Sequence, residues 1–117
     1  MPYVDGIVAA VPTENKEQYI EHDKLAAELF KELGALQVVD SWEDDVSEGE
    51  LTSFTMAVKR EPGESIAFSW VTWPSKEVRE KAWQAAMDDP RMHPESNPMP
   101  FDGKRLIYGG FSIIHEL

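Results

Sequence analysis

The sequence predicts an α+β domain of the ferredoxin-like, split βαβ type, in which one antiparallel sheet carries two helices on one face. Three observations support this fold class. The 117 residues suffice for one domain, 1–117. Segments with strand and helix patterns alternate in the order β-α-β-β-β-α-β. Two of the strands are apolar on both faces, which is typical of strands at the centre of a sheet.

The first of these central strands is predicted over 3–11, where Asp5 is the one charged residue. The helix after it is capped by Thr13 or by Asn15, whose spacing from Gln18 is that of a capping box. One face of this helix points at the sheet, and it carries Tyr19, His22, Ala26, Leu29, Phe30 and Leu33. The single histidine of this face is therefore expected between helix and sheet.

Two further strand segments precede the second central strand, which is predicted at 65–73. Segments 35–42 and 54–59 both have strand patterns, and the polar, acidic stretch 43–53 between them is predicted to be a loop. Both segments would pair with 65–73 in the same direction. We therefore interpret them as two halves of one edge strand.

Ser75 caps the second predicted helix. Its apolar positions form two stripes, Val78, Ala82, Ala85 and Ala86 on one side and Trp83 and Met87 on another. Four prolines exclude regular structure from 89–103, which we interpret as either a lid over a cavity or an arm across a dimer. The last strand is predicted over 105–116, and its pair Gly109-Gly110 indicates a bulge or a close backbone approach.

The two faces of the predicted sheet differ in how they are covered. Two helices cover only one face, yet the central strands are apolar on both. The second face therefore needs a partner, and a second copy of the chain packed sheet against sheet is the simplest one. The sequence thus predicts a homodimer through the sheet face.

Composition limits the classes of partner. The chain carries 22 Asp and Glu against 11 Lys and Arg, a net charge of −11, which repels phosphate. Nucleic acid and anionic membranes are therefore not expected as partners. The absence of cysteine excludes disulfides and thiolate sites. With no signal-peptide pattern and no apolar run near the roughly 20 residues of a membrane span, we predict a soluble, cytoplasmic protein without a cofactor.

Four segments of the chain have familiar sequences. They are MPYVDG at 1–6, WVTWPSK at 70–76, DPRM at 89–92 and MPFDGKRLIYGGF at 99–111. Together they resemble the YbaA-like family of bacterial proteins, a family of unknown function, and the resemblance spans nearly the whole chain. It implies the dimeric α/β-barrel superfamily, in which two ferredoxin-like sheets pack into a barrel. That superfamily includes cofactor-independent oxygenases and non-catalytic regulatory domains alike, so the resemblance implies no particular activity.

Two side chains are candidates for catalysis. His22, between helix and sheet, suits a general base or a ligand, and equally a core histidine whose ring nitrogens are satisfied by neighbours. Asp5 lies inside a central strand, where a buried carboxylate needs a partner. Lys104 or Arg105 on the last strand would provide one, and otherwise Asp5 is available as a base.

Aromatic side chains form the candidate ligand site. Tyr3, Trp42, Trp70 and Tyr108 lie on or beside buried elements, where they suit a flat aromatic compound or simple core packing. No metal site is predicted. The acidic run 43–50 lacks the order of an EF-hand loop, and the two remaining histidines, His93 and His115, have no partner at ligand spacing.

The sequence leaves two functions open. One is a homodimeric α/β-barrel protein that binds a small molecule without catalysis. The alternative is a cofactor-independent monooxygenase or isomerase for a small aromatic or polyketide-like compound, with Asp5 or His22 as the base. A cavity of about a few hundred Å3 between helices and sheet would favour the enzyme, and a filled core there would favour the first function.

Overall fold

A computed structural model describes all residues, 1–117, and gives a mixed α+β protein. Four strands form one antiparallel sheet: β1 Tyr3–Pro12, β2 Gln37–Trp42, β3 Glu64–Trp73 and β4 Ile107–Ser112. The helices are α1 Lys16–Glu32, α2 Phe54–Ala57 and α3 Lys76–Met87. The strand order is β2-β3-β1-β4, with the two doubly apolar strands in the middle as predicted. Within one chain the sheet is open and is not closed into a barrel.

The last strand is shorter than predicted and pairs with β1 without interruption. Its six residues match six of β1 in one continuous antiparallel register, so the Gly109-Gly110 pair makes no bulge. The alternative prediction was a close backbone approach, and the approach found at Gly110 is that of a side chain. The ring of Tyr3 lies against this glycine, and a Cβ there would come within 2.5 Å of the Tyr3 hydroxyl.

The two long helices pack on the same face of the sheet. Their side chains meet those of β3 in the largest core cluster, which contains Leu29, Phe30, Ala35, Val71, Trp73, Ala82 and Ala86. Phe30 lies edge-on to Trp73, 5.8 Å between ring centres, and 4.9 Å from the ring of Trp83. Burying a side chain such as Phe30 contributes about 3 kcal/mol. Of the predicted inward positions of α3, Ala85 is exposed, because it lies at the edge of the buried stripe.

The starts of α3 and α1 are fixed in different ways: a local side-chain cap fixes α3, and a contact with a distant segment fixes α1. Ser75 caps α3 as predicted, and its Oγ accepts a hydrogen bond from the Val78 amide at 3.2 Å. The capping box predicted for α1 is wrong. The Asn15 amide instead donates to the Pro100 carbonyl at 2.9 Å, and a 3-10 turn, Thr13–Asn15, leads into the helix. A contact with a distant segment has replaced the local cap.

The prediction of a strand at 54–59 is wrong. Ser53 caps α2 here, its Oγ accepting from the Met56 amide at 3.0 Å, and the edge strand is β2 alone. The alternating apolar residues that suggest a strand have another cause, because Val58 is buried against the second face of the sheet with Val8, Ala10 and Ile66. This segment therefore covers part of the face that the sequence left without cover. None of the helices combines the length and the apolar character that a bilayer crossing requires.

Candidate functional site

A cavity of about 150 Å3 lies between α1 and the sheet. Twelve of its sixteen lining residues are hydrophobic, and they include Ile7, Phe30, Val71, Trp83, Met99 and Phe101. The segment after α3 contributes part of this wall, so the proline-rich stretch 89–103 packs over the cavity of its own chain. An apolar wall with a few convergent polar groups is typical of a small-molecule site.

The polar lining residues form a connected group. The Ser69 hydroxyl, on β3, donates to Asp40 Oδ1 on β2 at 2.7 Å, and its Oγ lies 3.4 Å from the Tyr19 hydroxyl of α1. The carboxyl of Asp23, also on α1, lies beside that of Asp40. Side chains of one helix and two strands thus converge at one end of the cavity.

Asp23 and Asp40 make an adjacent carboxyl pair. The Asp23 side chain is 21% exposed, and burial, reinforced by the neighbouring Asp40 carboxyl, raises the pKa of Asp23 to about 8. Asp23 therefore keeps its proton at neutral pH and is a hydrogen-bond donor. Burial also raises the pKa of the Tyr19 hydroxyl, which stays protonated.

Asn97 holds the His22 ring in one orientation. The Asn97 amide nitrogen donates to the carbonyls of His22 at 3.2 Å and Arg91 at 2.9 Å, which turns the amide oxygen toward His22 Nδ1 at 2.9 Å. That oxygen only accepts, so Nδ1 carries the proton of the neutral ring and Nε2 carries the lone pair. His22 Nε2 lies 3.9 Å from Asp23 Oδ1. The predicted position of His22 between helix and sheet agrees with the structure, and its role stays a prediction.

Asp5 lies beneath α3, away from this group. It is 4% exposed and accepts hydrogen bonds from Arg79, the shortest at 2.7 Å, and from the indoles of Trp73 at 2.9 Å and Trp83 at 3.1 Å. The predicted partners Lys104 and Arg105 are wrong, because both residues precede β4 and α3 is the element above Asp5. These bonds occupy the lone pairs that a general base needs.

Arg105, which was predicted to pair with Asp5, pairs with other carboxylates. Its guanidinium donates to both oxygens of Glu64 at 2.7 Å and to Asp102 at 3.1 Å. The Arg105 guanidinium lowers the pKa of Glu64. Arg105 thus ties the turn before β4 to the start of β3, which is a structural role.

The four predicted ligand-binding aromatics do not share one pocket. Trp42 packs on Tyr19 beside the polar end of the cavity, 5.8 Å between ring centres. The ring of Tyr3 lies under the Arg79 guanidinium, whose central carbon is 5.4 Å from the centre of the ring. Trp70 lines a groove on the opposite face of the sheet. Tyr108 borders this groove, but its pairing with Ile7 puts its side chain on the face that carries the helices.

This groove on the second face has a volume of about 540 Å3 and is almost entirely apolar. Its lining includes Val4, Val8, Phe68, Trp70, Ile107 and Phe111, and none of its ten residues is charged. Phe68, Ile107 and Phe111 are 40%, 42% and 59% exposed. A contiguous uncharged apolar surface on a chain of net charge −11 is typical of an interaction surface.

The acidic run 43–50 is held by an arginine. The Arg60 guanidinium pairs with Glu43 at 3.0 Å and with Glu48. No group of three or more His, Asp or Glu side chains lies close enough to hold a metal ion.

Three members of the polar group, Asp23, Asp40 and Ser69, and the neighbouring Asn97 were not predicted from the sequence. Asp40 had a signal, since it occupies the period-two series of Val38 and Trp42 and is the one charged residue in it. For Asp23, the only indication in the sequence was its position next to His22. Asn97 had none, because nothing local shows that the proline-rich segment returns to α1.

The fold and the cavity together define a class of protein: an open, four-stranded α+β domain with a polar-ended cavity beneath its helices. Residues 2–103 match the model of a family described as "Protein of unknown function (DUF1428)". The chain is 56% identical over 117 residues to the uncharacterized protein YbaA of Escherichia coli strain K12, covering 99% of this chain and 100% of the relative. The same values hold for YbaA of Escherichia coli O157:H7 and of Shigella flexneri. The chain belongs to the DUF1428 family, in agreement with the YbaA-like resemblance.

Proposed function

We propose that the protein binds a small, uncharged, largely apolar molecule in the cavity between α1 and the sheet, and that it does so as a homodimer. The observation that supports binding is the cavity itself, whose apolar wall ends in a group of polar side chains. Its volume of about 150 Å3 corresponds to a single six-membered ring, since an apolar protein cavity of that size binds benzene.

The charges of the cavity select a neutral ligand. Two carboxyl groups, Asp23 and Asp40, lie at its polar end, and no Lys or Arg lines it. An anion would therefore be repelled, and the net charge of −11 adds to that repulsion. Asp23 carries a proton that it shares with the neighbouring Asp40 carboxylate and that a ligand oxygen can accept in place of Asp40, while His22 Nε2 accepts a hydrogen bond. A ring with one hydroxyl or carbonyl group matches these partners.

Calorimetric titration with benzyl alcohol and with benzoate tests this proposal. The two probes have nearly the same size and differ in charge. We expect benzyl alcohol to bind and benzoate not to bind, and Ala26→Phe, which fills the cavity, to abolish binding. The matched variant Ala85→Phe, on the exposed side of α3, should bind as the wild type does. Equal binding of benzyl alcohol by the Ala26→Phe variant would contradict the cavity as the site.

The homodimer is supported by the groove on the second face of the sheet. The strand order β2-β3-β1-β4, with α1 and α3 on one face, is that of a ferredoxin-like fold, and two such sheets packed face to face give a dimeric α/β barrel. A second copy is the occupant we propose. Two copies repel each other over most of their surfaces, and this uncharged apolar face is where their approach costs least.

The sequence also left an enzyme acting on a small ring compound as an alternative. The residues at the polar end of the cavity are the kind that this alternative requires.

A further inference from the structure

The cavity contains the parts of a proton-transfer site, and this inference rests on the ligand binding proposed above. We propose that the protein isomerises a small neutral cyclic ketone that has a C=C bond in the β,γ position, which it moves into conjugation with the carbonyl group. In this reaction His22 Nε2 removes a proton from the carbon beside the carbonyl group, while the Asp23 carboxyl gives its proton to the carbonyl oxygen.

His22 has the orientation that a base needs. The Asn97 oxygen, 2.9 Å away, fixes the proton on Nδ1 and leaves the Nε2 lone pair free. The ring lines the cavity and stands edge-on to Phe101, 6.4 Å between ring centres, so packing as well as hydrogen bonding restrains it. Asn97 itself is buried and acts as a positioning residue.

Asp23 has the position that an acid needs. Its Oδ1 lies 3.9 Å from His22 Nε2, a separation that lets the two groups act on neighbouring atoms of one ligand. The titratable groups that face it are Tyr19 and His22 from α1 and Asp40 from β2. Burial and the Asp40 carboxyl raise the pKa of Asp23 to about 8, which keeps the proton in place until a carbonyl oxygen accepts it.

The reaction balances without a cofactor. The C–H bond breaks, its electron pair forms the carbon–carbon double bond of a dienol, and the carbonyl π pair takes the Asp23 proton. The ring of His22, now protonated at Nε2, gives that proton to a different carbon of the dienol. The enol O–H returns its proton to Asp23, so substrate and product are isomers. While the dienol is bound, His22 is positively charged and Asp23 is negatively charged. The two groups are 3.9 Å apart, and their attraction stabilises this intermediate.

The conversion of 3-cyclohexenone to its conjugated isomer, 2-cyclohexenone, tests this inference. The probe is a neutral six-membered ring, and the growth of ultraviolet absorbance of the enone reports turnover. We expect the wild type to accelerate the conversion, and His22→Gln and Asp23→Asn each to lower kcat by at least about 100-fold. The matched variants His115→Gln and Asp44→Asn, both at exposed positions, should keep the wild-type rate.

The pH profile adds a readout that a purely structural role of Asp23 would not change. Above about pH 8 the wild-type kcat/KM should fall, because Asp23 loses the proton that it must donate. Asp23→Asn should remove this limb from whatever activity remains. Thermal melting of each variant identifies any that fails to fold, and in that case His22→Asn or Asp23→Ser replaces it.

Two failures are distinguishable. If 3-cyclohexenone displaces benzyl alcohol but is not converted faster than in buffer, the catalytic inference is overturned and the binding function stands. If neither probe binds, both are overturned. Conversion that persists undiminished in folded His22→Gln and Asp23→Asn variants would remove these residues from the reaction.

Discussion

At the residue scale, the Asp5 carboxylate shows what a buried charge requires. Arg79 donates to both of its oxygens, and two indole N–H groups complete its shell. The same guanidinium lies 5.4 Å from the ring centre of Tyr3, so one cation joins α3 to two residues of β1. Removing one partner of such a pair leaves the other charge buried and unpaired.

We expect Asp5→Asn to lower the free energy of unfolding by about 3 kcal/mol, because Arg79 loses its counter-charge. Urea denaturation measures this change. Asp44→Asn, in the exposed loop, is the matched control and should stay within about 0.5 kcal/mol of the wild type. A loss below about 1 kcal/mol in Asp5→Asn would show that the ion pair adds little to stability.

The raised pKa of Asp23 makes the protein less stable as pH rises. Carboxylates that pair with arginine have lowered pKa values and make the protein less stable as pH falls. The folded pKa of Asp23, about 8, lies above the unfolded value of 3.8, so the folded state binds the proton more tightly. Stability therefore falls as pH rises from about 4 to about 8. Arg91 and Arg105 lower the pKa values of Asp89 and Glu64, whose contributions are lost only as pH falls below their unfolded values. The two effects occupy separate pH windows.

We therefore expect the wild-type Tm to decline between pH 5 and pH 8, and Asp23→Asn to flatten this decline. At pH 8 the variant should be at least as stable as the wild type, because an amide carries no charge to desolvate. Thermal melts at several pH values measure the effect. Parallel curves for the two proteins over this range would argue against a protonated Asp23.

At the element scale, the central strands were predictable and the elements around them were less so. A continuous run of apolar residues identified β1 and β3, because a strand that is buried on both faces requires apolar side chains at nearly every position. The strand predicted at 54–59 is the short helix α2, because a Ser53 cap and the burial of Val58 outweigh an alternating pattern. Local sequence also gave no sign that 89–103 packs back over α1. In each of these cases a tertiary contact decides what the local pattern leaves open.

The contact between β4 and β1 at Gly110 can be tested directly. A Cβ at this position would meet the Tyr3 hydroxyl at 2.5 Å and a ring carbon at 2.7 Å, so Gly110→Ala must displace the ring from Arg79. We expect a loss of about 1 to 3 kcal/mol in the free energy of unfolding. In a Tyr3→Ala background the same substitution should cost much less, and the double-mutant cycle isolates the pair. If the effects of the two substitutions simply added, the position of the Tyr3 ring would not depend on a glycine at position 110.

At the scale of the whole molecule, net charge and the apolar second face act against each other. The chain carries a net charge of −11, while the groove around Phe68 and Phe111 carries none. Association through this face therefore depends on ionic strength, because salt screens the repulsion between copies and leaves the apolar attraction.

Sedimentation at micromolar concentration should give a dimer that tightens as salt is raised. Phe111→Asp should give a monomer, since it places a charge in the groove of both copies. Leu51→Asp, at an isolated position that is 98% exposed, is the matched control and should leave the dimer intact. A wild type that stays monomeric at high salt would contradict the dimer.

The most direct test of the central claim, that the cavity beneath α1 holds the ligand, uses the indole N–H signals of the four tryptophans. Trp83 lines the cavity, whereas Trp70 lines the groove on the opposite face, so the two report on different sites. On titration with benzyl alcohol, we expect the Trp83 indole signal in the NMR spectrum to shift and saturate while that of Trp70 stays in place. A shift of Trp70 with an unchanged Trp83 would put the ligand on the open face and contradict the account.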